Sequence, residues 1–389
     1  MWQRAFIAIC TMGIIGLGMT HPTQAQFDDL PIDAAWEAYK QRFIFCGDAC
    51  GGDLGLVFDP SQGYQATSES SGYGLLMAVM AGDQTTFDVI YNATYRYLHE
   101  EESGLFDWRA NPSGEVTGFG SATDADLDIA AALILAHRSV EQGTWQPNTE
   151  RPYAEAANAL IDNIYEREVV DGAYLKPGDL FGGEGRAIIN ISYFSPAWMQ
   201  MFDAFQGTDR WQPVIDQSYV SLNASPGAPM GLAPDWSTAD GEPATEYCEA
   251  QSTPATGCGY EMRYESIRVP WRQAVHCVWN GDPRACDWSQ RTVNFLYDLP
   301  RGTTQARFFD MSGKIVVSYQ DTVMRSMWAT APLATGDHEL ARQFIDSIGW
   351  TPTNGDTPGY WGQRPEDYYH QSLAWFTASL ATGRFRPIG

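Results

Sequence analysis

Three short segments carry acids in settings that suit proton transfer. In Ser68-Glu69-Ser70-Ser71-Gly72-Tyr73-Gly74-Leu75-Leu76, one glutamate enters a run of small and apolar residues that continues through Ala78, Val79 and Met80. Desolvation at such a rim disfavours the ionised form. Glu69 is therefore expected to titrate high, as a general acid working near neutral pH must. An ordinary first-turn glutamate held by the helix dipole would read the same way. In Ala122-Thr123-Asp124-Ala125-Asp126-Leu127-Asp128-Ile129-Ala130, three acids fall within five residues at a helix start. Asp124 and Asp128 share a face at i,i+4, where like charges repel; Asp126 points elsewhere. Capping accounts for one or two of the three, and substrate hydroxyls would be partners for the rest. In Arg263-Tyr264-Glu265-Ser266-Ile267-Arg268-Val269-Pro270-Trp271-Arg272, Glu265 and Arg268 stand at i,i+3, close enough to pair. Pairing would keep Glu265 ionised, which suits a general base; a surface salt bridge of little worth would look alike.

Other chemistries lack their residues. The sequence has no G-x-S-x-G elbow, P-loop, G-x-G-x-x-G fingerprint or H-E-x-x-H. His21, His99, His137, His276, His338 and His370 are scattered, so neither a metal nor a cofactor is expected. Lys plus Arg number 24 against 48 Asp plus Glu, a formal charge of −24. That balance argues against nucleic acid, whose phosphates need cations, and against an anionic membrane surface. With 14 Trp, 19 Tyr and 18 Phe, the chain is rich in flat rings that grip neutral ligands such as sugars. Carboxylates together with rings point to glycoside hydrolysis, in which one protonated and one ionised carboxyl flank the scissile bond.

Helical periodicity positions these acids. It predicts helices near 32–43, 70–82, 85–99, 124–142, 152–167, 193–205, 212–224, 265–279, 287–299, 317–334, 338–349 and 368–382. The pattern is clearest over 124–142, where Leu127, Ala130, Ala131, Ile134 and Leu135 share a face and Thr123 is placed to cap. Strand alternation is scarce; short β pieces are expected around 230–262 and 303–316. Two long polar loops, 103–122 and 225–263, are of a length that is usually functional. Twelve helices without a parallel-strand signal or a linker suggest one all-α domain of hairpins. A closed ring of six hairpins fits that count, and a solenoid would fit it too.

Residues 1–25 read as a secretory signal: Arg4, an apolar run over 5–19, and a small-x-small site at Thr23-Gln24-Ala25. The run is shorter than the ~20 residues of a membrane span. A secreted or periplasmic protein is expected, with its domain over 26–389. Six cysteines remain after the signal, an even number that favours disulfides on export. Proximity suggests Cys46–Cys50, Cys248–Cys258 and Cys277–Cys286, one of about 15 connectivities.

Taken together, the acid segments resemble glycoside hydrolase family 8, the bacterial endoglucanases, xylanases and chitosanases. The family's S-E-G-x-x-Y-G-M is similar to Ser68 to Leu75, with Ser70 and Leu75 replacing Gly and Met. Its A-[ST]-D-[AG]-D-x-x-[IM]-A-x-[SA] matches Ala122 to Ala132 at every stated position, although a later aromatic position is Val140 here. Its Tyr-Asp-Ala-x-Arg-Val-Pro-Trp-Arg resembles Tyr264 to Arg272. Asn190 to Ala197, Pro234-Asp235-Trp236 and Tyr368 to Phe385 are similar as well, so the likeness spans nearly the whole mature chain.

The resemblance implies an (α/α)6 barrel with a cleft across one end. It implies inverting hydrolysis of β-1,4 bonds in a polysaccharide by a monomer. Glu69 would be the general acid, Asp124 would position and distort the sugar, and the base would sit at 265. There the chain departs, with Glu265 where the family usually has Asp. One branch instead carries its base as a Glu in a longer preceding loop; Glu242, Glu246, Glu249 and Glu261 are the counterparts here. Trp108, Tyr193, Trp236, Tyr264 and Tyr369 align with segments bordering the cleft, Asp126 and Arg268 would contact sugar, and Arg268 would orient the base. Trp198, Trp279 and Trp328 read as core. Endo-β-1,4-glucanase ranks first, then xylanase and chitosanase. A sugar-binding protein without turnover is the alternative that the Glu at 265 motivates.

Overall fold

The computed structural model describes residues 26–181, 188–244, 259–299, 302 and 305–388. Twelve α-helices run through these residues. They are α1 (Ile32–Tyr39), α2 (Ser68–Ala81), α3 (Gln84–Tyr97), α4 (Thr123–Glu141), α5 (Tyr153–Glu168), α6 (Pro196–Gln206), α7 (Gln212–Ala224), α8 (Val269–Asn280), α9 (Pro283–Tyr297), α10 (Thr322–Thr335), α11 (His338–Ile348) and α12 (Tyr368–Ala381).

Burial sorts them into two layers. In α2, every residue from Ser70 to Met80 is buried, and α4 is buried from Thr123 to Ala136. Helices apolar all round belong inside. By contrast α11 buries only Leu340, Ala341, Phe344, Ile345 and Ile348, one stripe at helical spacing. The inner helices pack as α2 on α4, α4 on α6, α6 on α8, α8 on α10, α10 on α12, and α12 back on α2. Each inner helix also packs on one outer neighbour: α3, α5, α7, α9, α11 and, for α12, α1. The ring closes, so this is an (α/α)6 barrel and not an open solenoid. Gly72 lets α2 approach α4: a Cβ there would meet Asp128 Cβ at 3.2 Å and the Ala125 carbonyl oxygen at 3.3 Å.

The predicted helices are present with shifted ends, and caps set two of the shifts. Asp282 starts α9 at Pro283, earlier than periodicity suggests, by accepting from Arg284 N. Asp321 delays α10 to Thr322 by accepting from Met324 N. Thr123 is not the cap of α4; Ala122 takes that position, and Thr123 Oγ1 donates to the Lys176 carbonyl at 2.8 Å. The segment 103–122 is not a plain loop. It holds β3 (Asp107–Ala110) and β4 (Val116–Ser121), which join β1 (Phe58–Asp59) and β2 (Gln65–Thr67) in a sheet of order β1-β2-β3-β4. Register shifts on either side of Arg109 break the alternation that would have betrayed the hairpin. The β pieces expected at 230–262 and 303–316 appear as Glu261–Met262 paired with Phe309–Asp310.

Disulfides join Cys46 to Cys50, and Cys277 on α8 to Cys286 on α9. The expected Cys248–Cys258 bridge lies outside the described residues. Trp198 and Trp328 are core; Trp279 is half-buried against Phe385.

The i,i+4 repulsion between Asp124 and Asp128 is resolved by arginines at the same spacing across the ring. Asp128 accepts from Arg272 Nη1 and Nη2 at 2.6 and 2.8 Å, and from Trp198 Nε1 at 2.7 Å. Asp124 accepts from Arg268 at 2.6 Å. Removing one partner of a buried pair strands the other. Asp128→Asn is therefore expected to lose about 3–5 kcal/mol, read as a lower urea midpoint. An unchanged midpoint would show that the pair does not hold α4 to α8.

Candidate active site

The first turns of all six inner helices, with the residues just ahead of them, meet at one end of the barrel. Glu69 sits in the first turn of α2, which Thr67 caps by a reciprocal bond with Ser70. Asp124 sits in the first turn of α4. Asn190 and Tyr193 precede α6, Glu265 and Arg268 precede α8, Asp321 caps α10, and Tyr368 opens α12. Helix N-termini expose unpaired N–H groups and favour anions.

Arg268 ties the acids together. Its Nη1 donates to Glu69 Oε2, and to Asp124 Oδ2 at 2.6 Å; its Nη2 donates to Glu265 Oε2 at 2.5 Å. Nη1 also lies 3.3 Å from the Tyr73 hydroxyl. The rings of Tyr193 and Tyr369 lie 5.4 and 5.9 Å from the guanidinium carbon. Arg268 and Asp124 are 2% exposed as side chains, Glu69 20% and Glu265 36%. Two oxygens held by the end nitrogens of one guanidinium are within about 8 Å of each other.

The carboxyls differ in setting. Glu69 is pushed up to about 8, first by burial and further by Asp124 and Glu265, against the opposing pull of Arg268. The Tyr368 hydroxyl donates to Glu69 Oε1 at 2.6 Å. Glu265 Oε2 also accepts from Asn190 Nδ2 at 2.8 Å, so both described bonds fall on one oxygen and leave Oε1 for a further donor. Asp124 Oδ1 is buried without a hydrogen-bond partner, an acceptor suited to a ligand hydroxyl. Burial first, then nearby acids, pushes the Tyr193 phenol well above its usual range. It is therefore a neutral donor at the site and not a base.

A cavity of about 300 Å³ opens over the acids, lined by Glu69, Tyr264, Glu265, Arg268, Tyr369 and residues of the α12 start. A larger hollow of about 730 Å³ lies near the C-terminal ends of α2 and α4, lined by Gly82, Gln142 and Arg384 among others. Its described lining includes none of Glu69, Glu265 and Arg268, which line the smaller one.

Most of the expected site residues gather here, and some do not. Glu69, Asp124, Glu265, Arg268, Tyr193, Tyr264 and Tyr369 form one cluster. Trp108 stands exposed on β3 with Arg109 over its ring at 4.4 Å, outside the cavity wall. Trp236 stands edge-on to Phe181 at 5.7 Å, also outside that wall. Asp126 does not join the cluster: it is fully buried and stands outside the cavity wall. Two residues turn a helix by about 200°, so Asp126 faces away from Arg268. Burial, then Glu168 and Asp179, raises its pKa well above the usual range. Of the loop glutamates, Glu242 is exposed and Glu261 pairs with Arg263, while Glu246 and Glu249 lie outside the described residues. Sequence reasoning missed Tyr368 and Asn190. Their signal was position: each stands at or just ahead of the start of an inner helix.

No described helix is long and apolar enough to cross a membrane. The sequence matches the family model for glycosyl hydrolases family 8 over residues 23–349. Endoglucanase 2 of Ruminiclostridium josui is 35% identical over 358 residues, covering 91% of this chain and 71% of that protein. Endoglucanase A of Acetivibrio thermocellus is 34% identical over 364 residues, covering 91% and 69%. A β-1,3-1,4-glucanase from Paenibacillus sp. X4 has a similar structure, with TM-score 0.76 at 22% identity over 94% of each chain.

Replacing Arg268 removes the one positive charge among these three acids. Without it their ionised forms are less favoured in the folded state, so folding weakens as pH rises. Arg268→Gln is expected to lose more melting temperature against the parent at pH 8 than at pH 5. A deficit equal at both values would mean that Arg268 does not serve as their counter-charge.

Proposed function

The chain belongs to glycosyl hydrolase family 8 and is a glycoside hydrolase, and we propose that it is an inverting endo-β-1,4-glucanase with Glu69 as general acid and Glu265 as general base. The observation that carries this reading is the shared guanidinium. Arg268 holds Glu69 through one end nitrogen and Glu265 through the other, and all three line one open cavity.

In the proposed reaction a glucan strand lies over the cavity with Tyr264 and Tyr369 beneath its sugars. Glu69 passes its proton to the glycosidic oxygen as the bond to the anomeric carbon breaks. A water bonded to Glu265 Oε1 attacks that carbon from the opposite face and gives its proton to Glu265. Asp124 Oδ1 accepts a hydroxyl of the distorted sugar. Inversion is favoured because Glu265 is tied back to Arg268 and Asn190, which fits holding a water better than direct attack on carbon. The longer Glu side chain fits at 265 because its second oxygen has both a guanidinium and an amide to fix it.

Glucan is the proposed substrate because two relatives at 35% and 34% identity are endoglucanases. Residues 26–389 are proposed to act as one catalytic domain and as a monomer. Export after removal of residues 1–25 is proposed too, and two disulfides support an extracellular setting.

Three outcomes are expected. Proton NMR of early products from a soluble β-glucan should show the α-anomer, and initial β-anomer would reject inversion. Glu69→Gln should fold normally and lose about 10²–10⁴ in kcat on the polymer; turnover near the parent's would remove Glu69 from the acid's role. Activity on the polymer should fall as pH rises through about 8, where Glu69 loses its proton. Xylan and chitosan serve as comparison substrates.

A further inference from the structure

His370 lies in the first turn of α12, 2% exposed, between two carboxylates. Its Nδ1 is 2.9 Å from Asp367 Oδ2 and its Nε2 is 3.4 Å from Asp321 Oδ2. Both aspartates are helix caps that use their other oxygen on backbone: Asp321 Oδ1 accepts from Met324 N, and Asp367 Oδ1 from His370 N. A neutral imidazole has one N–H and one lone pair. Neither ring nitrogen completes a hydrogen bond, so the two aspartates act on the ring as charges, and only the imidazolium carries a charge that answers them. Burial opposes the charge, but pairing with Asp321 and Asp367 outweighs it and raises the titration point of His370.

The charge reaches the catalytic residues through one oxygen. Asp321 Oδ2 also accepts from the Tyr264 hydroxyl at 2.7 Å, and Tyr264 is bonded in the chain to Glu265. Tyr369, the neighbour of His370, donates its hydroxyl to the Tyr264 carbonyl. Tyr264 is thus held at both ends by the same helix turn, directly and through Asp321. The other charged groups around the ring are few. Arg364 lies 3.7 Å from Asp367. Asp59, across from Asp367, is pushed up to about 6 by burial first and by Asp367. Glu69, Glu265 and Arg268 share the cavity wall with His370.

We propose that His370 is a positioning residue that works only as the imidazolium, seating Glu265 through Asp321 and Tyr264 and so imposing an alkaline limit on turnover separate from that of Glu69. It rests on the reading of Glu265 as base. A histidine with a raised titration point holds its partners fully at low pH and releases them as pH rises through that point. On release, Asp321 and Asp367 face a ring with one proton, and Tyr264 loses a fixed acceptor. Asp59 titrates on the acid side, so it does not overlap this limb.

A dinitrophenyl cellotetraoside separates the two limits, because its leaving group departs without a proton from Glu69. On it the parent should still lose kcat at alkaline pH. His370→Gln should fall about ten- to a hundredfold, the scale of a misplaced catalytic group, with KM nearly unchanged and the alkaline limb gone. A flat alkaline profile in the parent, or the parent's limb kept in His370→Gln, would overturn the inference. Nitrogen-15 NMR of the unaltered enzyme gives a second reading even if the variant does not fold. The ring should titrate with a midpoint above the ordinary ~6.5, carrying hydrogen on both nitrogens below it; a midpoint at or below ~6.5 would overturn the inference. Glu265→Gln tells this failure from a wrong base: if that variant keeps its activity on β-glucan, the base assignment itself has failed.

Discussion

One guanidinium among three carboxyl groups governs this end of the molecule. Arg268 supplies a single positive charge to Glu69, Asp124 and Glu265, and Glu69, Glu265 and Arg268 line a cavity of about 300 Å³. Three ionised acids would leave two uncompensated negative charges in a poorly solvated place, which is costly. Retaining one proton removes most of that cost. Desolvation selects the holder, because Glu69 is less exposed than Glu265, and it outweighs the Tyr368 phenol and the Arg268 guanidinium, which both favour the ionised form. In the proposed reaction the acid and the base are thus two carboxyls that share one charge deficit, with the proton kept by Glu69.

The closed ring makes that crowding possible. Each inner helix contributes its first turn or the residues ahead of it to the same end, so one arginine reaches acids almost 200 residues apart in the chain. The second pair, Asp128 with Arg272, repeats the pattern one turn deeper and fixes the register of α4 against α8. Structural and catalytic ion pairs are therefore neighbours on the same two helices. The outer helices brace this arrangement from behind, and the short sheet adds Asp59 to the cavity wall.

Much of this was legible from residue types. The inner helices betray themselves because they are apolar on every face, and Glu69, the Asp124 segment and Glu265-x-x-Arg268 stand out because acids are rare at such starts. What could not be read was partnership across the ring. Tyr368 and Asn190 look like unremarkable helix-start residues until closure brings them to Glu69 and Glu265. Asp126 carries the same local signal as Asp124, and only helical phase sends it to Glu168 and Asp179 instead. The β3–β4 hairpin was hidden by its bulges, and helix ends slipped wherever an aspartate cap outweighed the apolar period.

The proton on Glu69 is the claim on which the rest depends, and carbon-13 NMR of its side-chain carboxyl reads it directly. Titrating labelled enzyme, with Glu69→Gln to identify the signal, should show a midpoint near 8, where an ordinary glutamate lies near ~4.3. A carboxyl already ionised at pH 6 would contradict the account, because the cluster would then hold no donor for the departing sugar.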